Sequence, residues 1–94
     1  MWSSFRYKVQ PGNAPDVYGA PITFGAGVVS KFVDITIWDQ SVYIAFSFDG
    51  VTFGDDFEVD YDDPPLQLPF ACSAFVIRNK TAGLTARYQV VGFW

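Results

Sequence analysis

The side chains with the most evident chemistry in this chain are carboxylates. Nine of its ten acids fall between Asp34 and Asp63, and seven of them, Asp49, Asp55, Asp56, Glu58, Asp60, Asp62 and Asp63, lie within fifteen residues. Several oxygen ligands close together are what a hard cation such as calcium takes. The spacing argues against it: the alternating acids and glycine of an EF-hand loop are missing, and the adjacent pairs Asp55-Asp56 and Asp62-Asp63 splay apart on extended chain. Turn chemistry accounts for them instead, because aspartate beside glycine or proline bonds its own backbone. The chain has no histidine, which removes Ser-His and Cys-His pairs, a histidine base and histidine metal ligands. Cys72 is the only cysteine, so an internal disulfide and a cysteine-based zinc site are excluded. A carboxylate pair could still do acid–base work, but the aspartates fall in apparent turns. We therefore expect no enzyme, no cofactor and no metal.

Aromatic residues carry the stronger signal, at 19% of the chain. Most must fill a core, and those left over are candidates for contact. Trp2, Trp38 and Trp94 all lie at the ends of runs, and the tail Val90-Val91-Gly92-Phe93-Trp94 is apolar on both faces. A terminal strand of this kind is expected at a sheet edge, covered on one side by a neighbouring chain. Trp2, Trp38 and Tyr18 are also candidates for a carbohydrate platform. A single-strand stacking surface would need basic residues between the rings, and these are lacking.

Charge is segregated. From Phe32 to Ile77 there are nine acids and no Lys or Arg; Arg78 to Trp94 holds Arg78, Lys80 and Arg87 with no acid, and the net charge is −4. Six bases split between the two ends make no phosphate-binding face, so direct nucleic-acid binding is not expected. The functional reading is that acidic and basic regions meet across a contact with another copy or a partner. No run of about 18 apolar residues appears, so no membrane helix is expected. The start of the chain lacks the basic and apolar pattern of a secretory signal, which predicts synthesis in the cytoplasm.

The elements that position these residues are strands. In Val42 to Phe48 the apolar residues Val42, Ile44, Phe46 and Phe48 alternate with Tyr43, Ala45 and Ser47, and Asp49-Gly50 follows as a two-residue hairpin turn. Trp2 to Val9 reads as an amphipathic first strand with Arg6 and Lys8 on its wet side. Gln10 to Pro21, rich in Pro and Gly, reads as a long loop of the kind that often carries function. Ile22 to Phe24, Val28 to Trp38, Phe57 to Tyr61, Phe70 to Arg78 and Leu84 to Trp94 are further strands. The three residues Asp39-Gln40-Ser41 predict an antiparallel hairpin between the strands on either side. The period is two nearly everywhere, so residues 1–94 are expected to form one all-β domain: a single antiparallel β-sandwich, jelly-roll-like, of six to eight strands.

The stretches Val42-Tyr-Ile-Ala-Phe-Ser-Phe-Asp-Gly50, Ala74-Phe-Val-Ile-Arg-Asn-Lys80 and Leu84-Thr-Ala-Arg-Tyr-Gln-Val-Val-Gly-Phe-Trp94, with an acidic, proline-containing crossover between the first two, resemble small β-sandwich structural proteins of tailed-bacteriophage virions. The resemblance covers about the last 55 residues. It implies a non-enzymatic capsid cement or decoration protein located in the virion and made in the host cytoplasm. The alternatives are a head-tail or tail accessory protein and, from the aromatics, a carbohydrate-binding β-sandwich module. The implied partners are a second copy of the chain, as homodimer or homotrimer, and a major capsid or other virion protein. The candidate contact residues are Trp2, Pro11, Asn13, Pro15, Tyr18, Trp38, Arg87, Phe93 and Trp94.

Overall fold

A computed structural model describes residues 6–94, and among these every regular element is a strand. The order is β1 (Tyr7–Asn13), β2 (Ile22–Thr23), β3 (Phe32–Trp38), β4 (Val42–Ser47), β5 (Phe57–Val59), β6 (Leu66–Leu68), β7 (Ala74–Asn79) and β8 (Arg87–Phe93). They form two four-stranded antiparallel sheets, ordered β1-β8-β3-β6 and β2-β7-β4-β5. The pairs β1 with β8, β2 with β7, β3 with β6 and β4 with β5 are all hydrogen-bonded. That is one long antiparallel ribbon rolled up so that its alternate pairs share a sheet, a jelly-roll-like sandwich.

The roll places each period-two strand with one face inward. Val33, Ile35 and Ile37 of β3 meet Val42, Ile44 and Phe46 of β4 across the core, with Phe75 and Ile77 of β7 and Tyr88 and Val90 of β8. Rings fill the middle: Phe46 lies edge-on to Phe70 at 4.9 Å between centroids, and Phe75 lies edge-on to Tyr88 at 6.1 Å. Burying one such phenyl group contributes roughly 1.5–3 kcal/mol.

Four expectations from the sequence need correction. First, β3 and β4 are not a hairpin, because they lie in opposite sheets. Asp39 takes a left-handed φ of 79°, and the Gln40 amide donates to the Trp38 carbonyl at 3.0 Å, so the short connection is a corner that carries the chain across the core. Second, Asp49-Gly50 is not a two-residue turn: only Gly50 has positive φ, and Ser47 pairs with Phe53 to close a five-residue loop. Phe48 consequently leaves the core face of its strand and is exposed. Third, the closing strand is central rather than at an edge, flanked by β1 and β3.

Fourth, β1 runs on to Asn13 through the first third of the expected loop, and its faces are reversed. An edge strand can hold Pro11 because every second N–H points away from the sheet. In register with β8, Val9 lies opposite Val91 and Gln10 opposite Val90. Because Val90 is in the core, it is the apolar residues Tyr7 and Val9 that face outward. Lys8 and Gln10 lie on the inner-facing side at the rim, where Gln10 Nε2 donates to the Thr23 carbonyl of β2 at 2.7 Å.

Candidate functional site

The outer face of the β1-β8-β3-β6 sheet is built in rows by the strand registers. Reading across β1, β8 and β3, the outward residues are Tyr7-Phe93-Phe32, then Val9-Val91-Asp34, then Pro11-Gln89-Thr36, then Asn13-Arg87-Trp38. One end of the face is therefore aromatic and the other polar. At the aromatic end the Phe93 ring lies 5.0 Å from Phe32 and 6.1 Å from Tyr7. Between the ends, Asp34 holds one buried carboxylate oxygen, Oδ1, with no hydrogen-bond partner among the described residues.

At the polar end the face is hollowed into a cleft of about 430 Å³ lined by Pro11, Gly12, Asn13, Trp38, Arg87, Tyr88 and Gln89. Trp38 stands on β3 and Pro11 and Asn13 on β1, so they form opposing walls, with Arg87 and Gln89 of β8 as the floor between them. Arg87 Nε donates to Asp39 Oδ2 at 3.0 Å, and its guanidinium carbon lies 5.2 Å from the centre of the Trp38 ring. Both members of this ion pair are well exposed, so its contribution to stability is small; its effect is to set the Arg87 side chain beside the indole. Gly12 shapes the other wall. A Cβ there would come within 2.6 Å of the Tyr88 hydroxyl, so only glycine leaves room for that inward-facing phenol beneath the β1 edge.

A second feature lies at the opposite end of the strands. The loops 24–30, 48–52 and 69–73 are tied together by Ser30–Cys72 backbone bonds of 2.7 and 3.2 Å and by the Ser73 amide donating to the Ser47 carbonyl at 2.8 Å. These loops carry a single charged side chain, Asp49, and that charge is consumed locally. Asp49 Oδ1 accepts from the Val51 and Thr52 amides, each at 2.8 Å, and lies 2.9 Å from the Ser47 hydroxyl. The Thr52 and Val51 amides, with the Ser47 hydroxyl after them, hold the carboxyl down at about 2. The result is a rigid turn that presents Phe48 at 65% and Val51 at 82% exposure.

Four of the six acids of residues 55–63 are occupied by turn and surface bonds. Asp56 accepts from the Tyr18 hydroxyl at 2.5 Å, Asp60 accepts from the Ser41 hydroxyl, Asp63 from the Asp60 amide, and Glu58 pairs with Lys80 at 3.0 Å. Burial, reinforced by the Asp56 bond, pushes the Tyr18 phenol up to about 12. Among the described residues no three His, Cys, Asp or Glu side chains are grouped to hold a metal ion.

The sequence candidates divide as follows. Pro11, Asn13, Trp38 and Arg87 are brought together in the cleft, and Phe93 lies on the same outer face at its aromatic end. Trp94 packs against the core instead. Pro15 lies where the β1–β2 connection crosses the end of the sandwich, its carbonyl accepting from the Asn79 amide at 2.7 Å. Tyr18 lies over the outer face of the other sheet, against Arg78, whose guanidinium carbon is also 4.5 Å from the Tyr43 ring centre. Trp38 and Tyr18 thus occupy opposite faces and form no common platform, and Trp2 lies outside the described residues. Sequence reasoning missed Gln89, Tyr88, Gly12 and Asp39 in the cleft and the orphaned Asp34. Only Gly12, next to Pro11, carried a local signal. No protein-family model, curated protein or solved structure matches the chain.

Proposed function

We propose that this protein is a non-enzymatic structural protein of a tailed-bacteriophage virion, a cement or decoration protein that stabilises the capsid shell by protein–protein contacts. The observation that carries the reading is the Phe48–Thr52 turn. Exposed Phe48 and Val51 contribute nothing to the domain's own core, yet five hydrogen-bonding groups hold their loop in one shape. Apolar side chains fixed in advance lose little conformational freedom on docking, which is what an efficient contact surface requires. The fold gives context, since double-sheet jelly rolls serve as capsid domains among other roles.

Charge supports contact with a second copy as well. The exposed bases Arg6 and Lys8 belong to the β1 side of the sandwich, whereas the β5–β6 side carries Asp55, Asp56, Glu58, Asp60, Asp62 and Asp63 with no base between residues 55 and 68. Opposite sides of opposite sign favour side-by-side association around a shell, as a homodimer or homotrimer. A head-tail or tail accessory protein would use the same turn against a different virion partner.

The test is to add purified protein to shells of the virus that encodes it and to follow co-sedimentation and the temperature at which the shells come apart. Binding of the folded protein should raise that temperature in proportion to occupancy, and the F48D/V51D variant should lose the effect. Wild-type protein that neither sediments with the shells nor shifts their disruption would refute the reading.

A further inference from the structure

We infer that the Trp38 cleft is a binding site for a neutral saccharide, taking one pyranose unit of a short glycan. The cleft is separate from the Phe48–Thr52 turn, and the inference does not rest on the virion reading.

Three properties of the cleft point to this ligand class. The first is its stock of uncommitted polar groups. The side-chain amides of Asn13 and Gln89 make no hydrogen bond within the described residues. Arg87 uses one of its five N–H donors on Asp39 and keeps four. Amides offer donors and acceptors side by side, which matches sugar hydroxyls, each of which also does both. The second is the aromatic wall. Trp38 is 38% exposed, and although the Arg87 guanidinium lies over part of its ring, the remaining exposed indole surface suits the apolar C–H surface of a pyranose ring, while Pro11 gives a second apolar surface across the cleft. The third is electrical. Among the described residues Arg87 is the only cation lining the cleft and Asp39 already neutralises it, so these residues leave no net charge with which to recruit a phosphate or a carboxylate.

A nucleobase fits less well. Stacking sites for single-stranded nucleic acid interleave their aromatics with basic residues that follow the backbone, and the cleft has only the paired Arg87. The volume of about 430 Å³ is in the range of small-ligand sites, which start at roughly 300 Å³, and its polar groups are few and convergent.

The experiment is a nitrogen–proton correlation NMR titration of the intact protein with the methyl glycosides of glucose, galactose, mannose and N-acetylglucosamine, each to about 50 mM, because a single shallow subsite yields millimolar affinity. The expected result is saturable shifts of the Trp38 indole N–H and the Asn13 and Gln89 side-chain amides with at least one glycoside. The W38A variant should lose saturable binding; because Trp38 stands on the outer face, the variant stays folded and its backbone spectrum reports this. N13A and Q89A should each weaken binding about fivefold to tenfold. No saturable shift with any of the four, shifts that survive W38A, or stronger binding of glucuronate than of the neutral sugars would each overturn the assignment.

Discussion

Replacing Asn79 by leucine should destabilise the domain by about 3 kcal/mol, although the two side chains are similar in size and leucine is the more hydrophobic. Asn79 ends β7 at 2% exposure, on the inner side of the sandwich. Its Nδ2 donates to the Ala14 carbonyl at 2.8 Å and to Asp16 Oδ1 at 3.0 Å, and its Oδ1 accepts from the Ala86 amide at 2.9 Å. One amide thus joins β7 to the end of β1, the β1–β2 connection and the approach to β8; β1 and β8 share a ladder with each other but none with β7, which lies in the opposite sheet. Leucine leaves the Ala14 carbonyl and the Ala86 amide, both belonging to buried residues, with one bond fewer, at about 1–3 kcal/mol for each group left unpaired. The Asp16 carboxylate is exposed, so water replaces that bond and its loss adds little. A domain of this length has a total stability of roughly 5–14 kcal/mol, so about 3 kcal/mol should lower Tm by roughly 12–24 °C. Urea unfolding followed by circular dichroism measures it directly. In a double-mutant cycle, D16A should cost less in the N79L background than in wild type, because one of its bonds is already gone. An N79L midpoint within about 1 kcal/mol of wild type would show that the amide is not what ties these segments together.

Other outcomes follow from particular contacts. A Cβ on Gly92 would lie 2.8–2.9 Å from three ring atoms of buried Phe24, so G92A should cost about 1–3 kcal/mol by overpacking, whereas G83A, where nothing lies within 4 Å, should cost only the strain of its positive φ. The Asp49 carboxyl is held at about 2 against a usual value near 4, so the charge stabilises the turn fully above about pH 4 and less as pH falls toward 2. The stability gap between wild type and D49N should therefore narrow over that window; a gap independent of pH would refute the network. Cys72 is fully buried, burial pushes its thiol up, and Ser30 Oγ lies 3.1 Å from its sulfur. Thiol reagents should label it only at the rate at which the domain opens, in proportion to added urea; fast labelling of the native protein would contradict the packing. F48D/V51D should abolish shell binding without altering saccharide shifts at Trp38, and W38A should do the reverse, since the two surfaces lie at opposite ends of the strands.

What could be read from the chain was each strand's inner face, and what could not was its neighbour. Val33, Ile35 and Ile37 alternate with polar residues in a way that demands one buried side. That pattern is satisfied equally by a β3–β4 hairpin within one sheet and by the observed facing of β3 and β4 across the core. The short Asp39–Ser41 connection favoured the hairpin on local grounds, and the roll of the whole chain decided otherwise. The same limit applies to the cleft. Asn13, Arg87 and Trp38 meet because β8 inserts between β1 and β3 in one register, and a slip of β8 by a single residue would turn Arg87 inward and break the set. Four of the cleft's lining residues were singled out as exposed or punctuating types, but no local feature of Gln89 or Tyr88 distinguishes them from ordinary strand positions.

The arrangement of the two ends gives the proposals a common geometry. Around the Phe48–Thr52 turn the chain uses its one carboxylate to rigidify a loop and leaves apolar tips outward, a design that gains free energy only when those tips are covered. At the other end of the strands, Asp16, Asp39, Asp60, Asp62, Asp63 and Lys80 crowd the connections, and covering that end would require many charges to be desolvated. A molecule docked through the apolar end therefore turns its charged end, and the Trp38 cleft beside it, toward solvent. On a shell this would leave the saccharide site facing outward, available to glycans on whatever surface the particle meets.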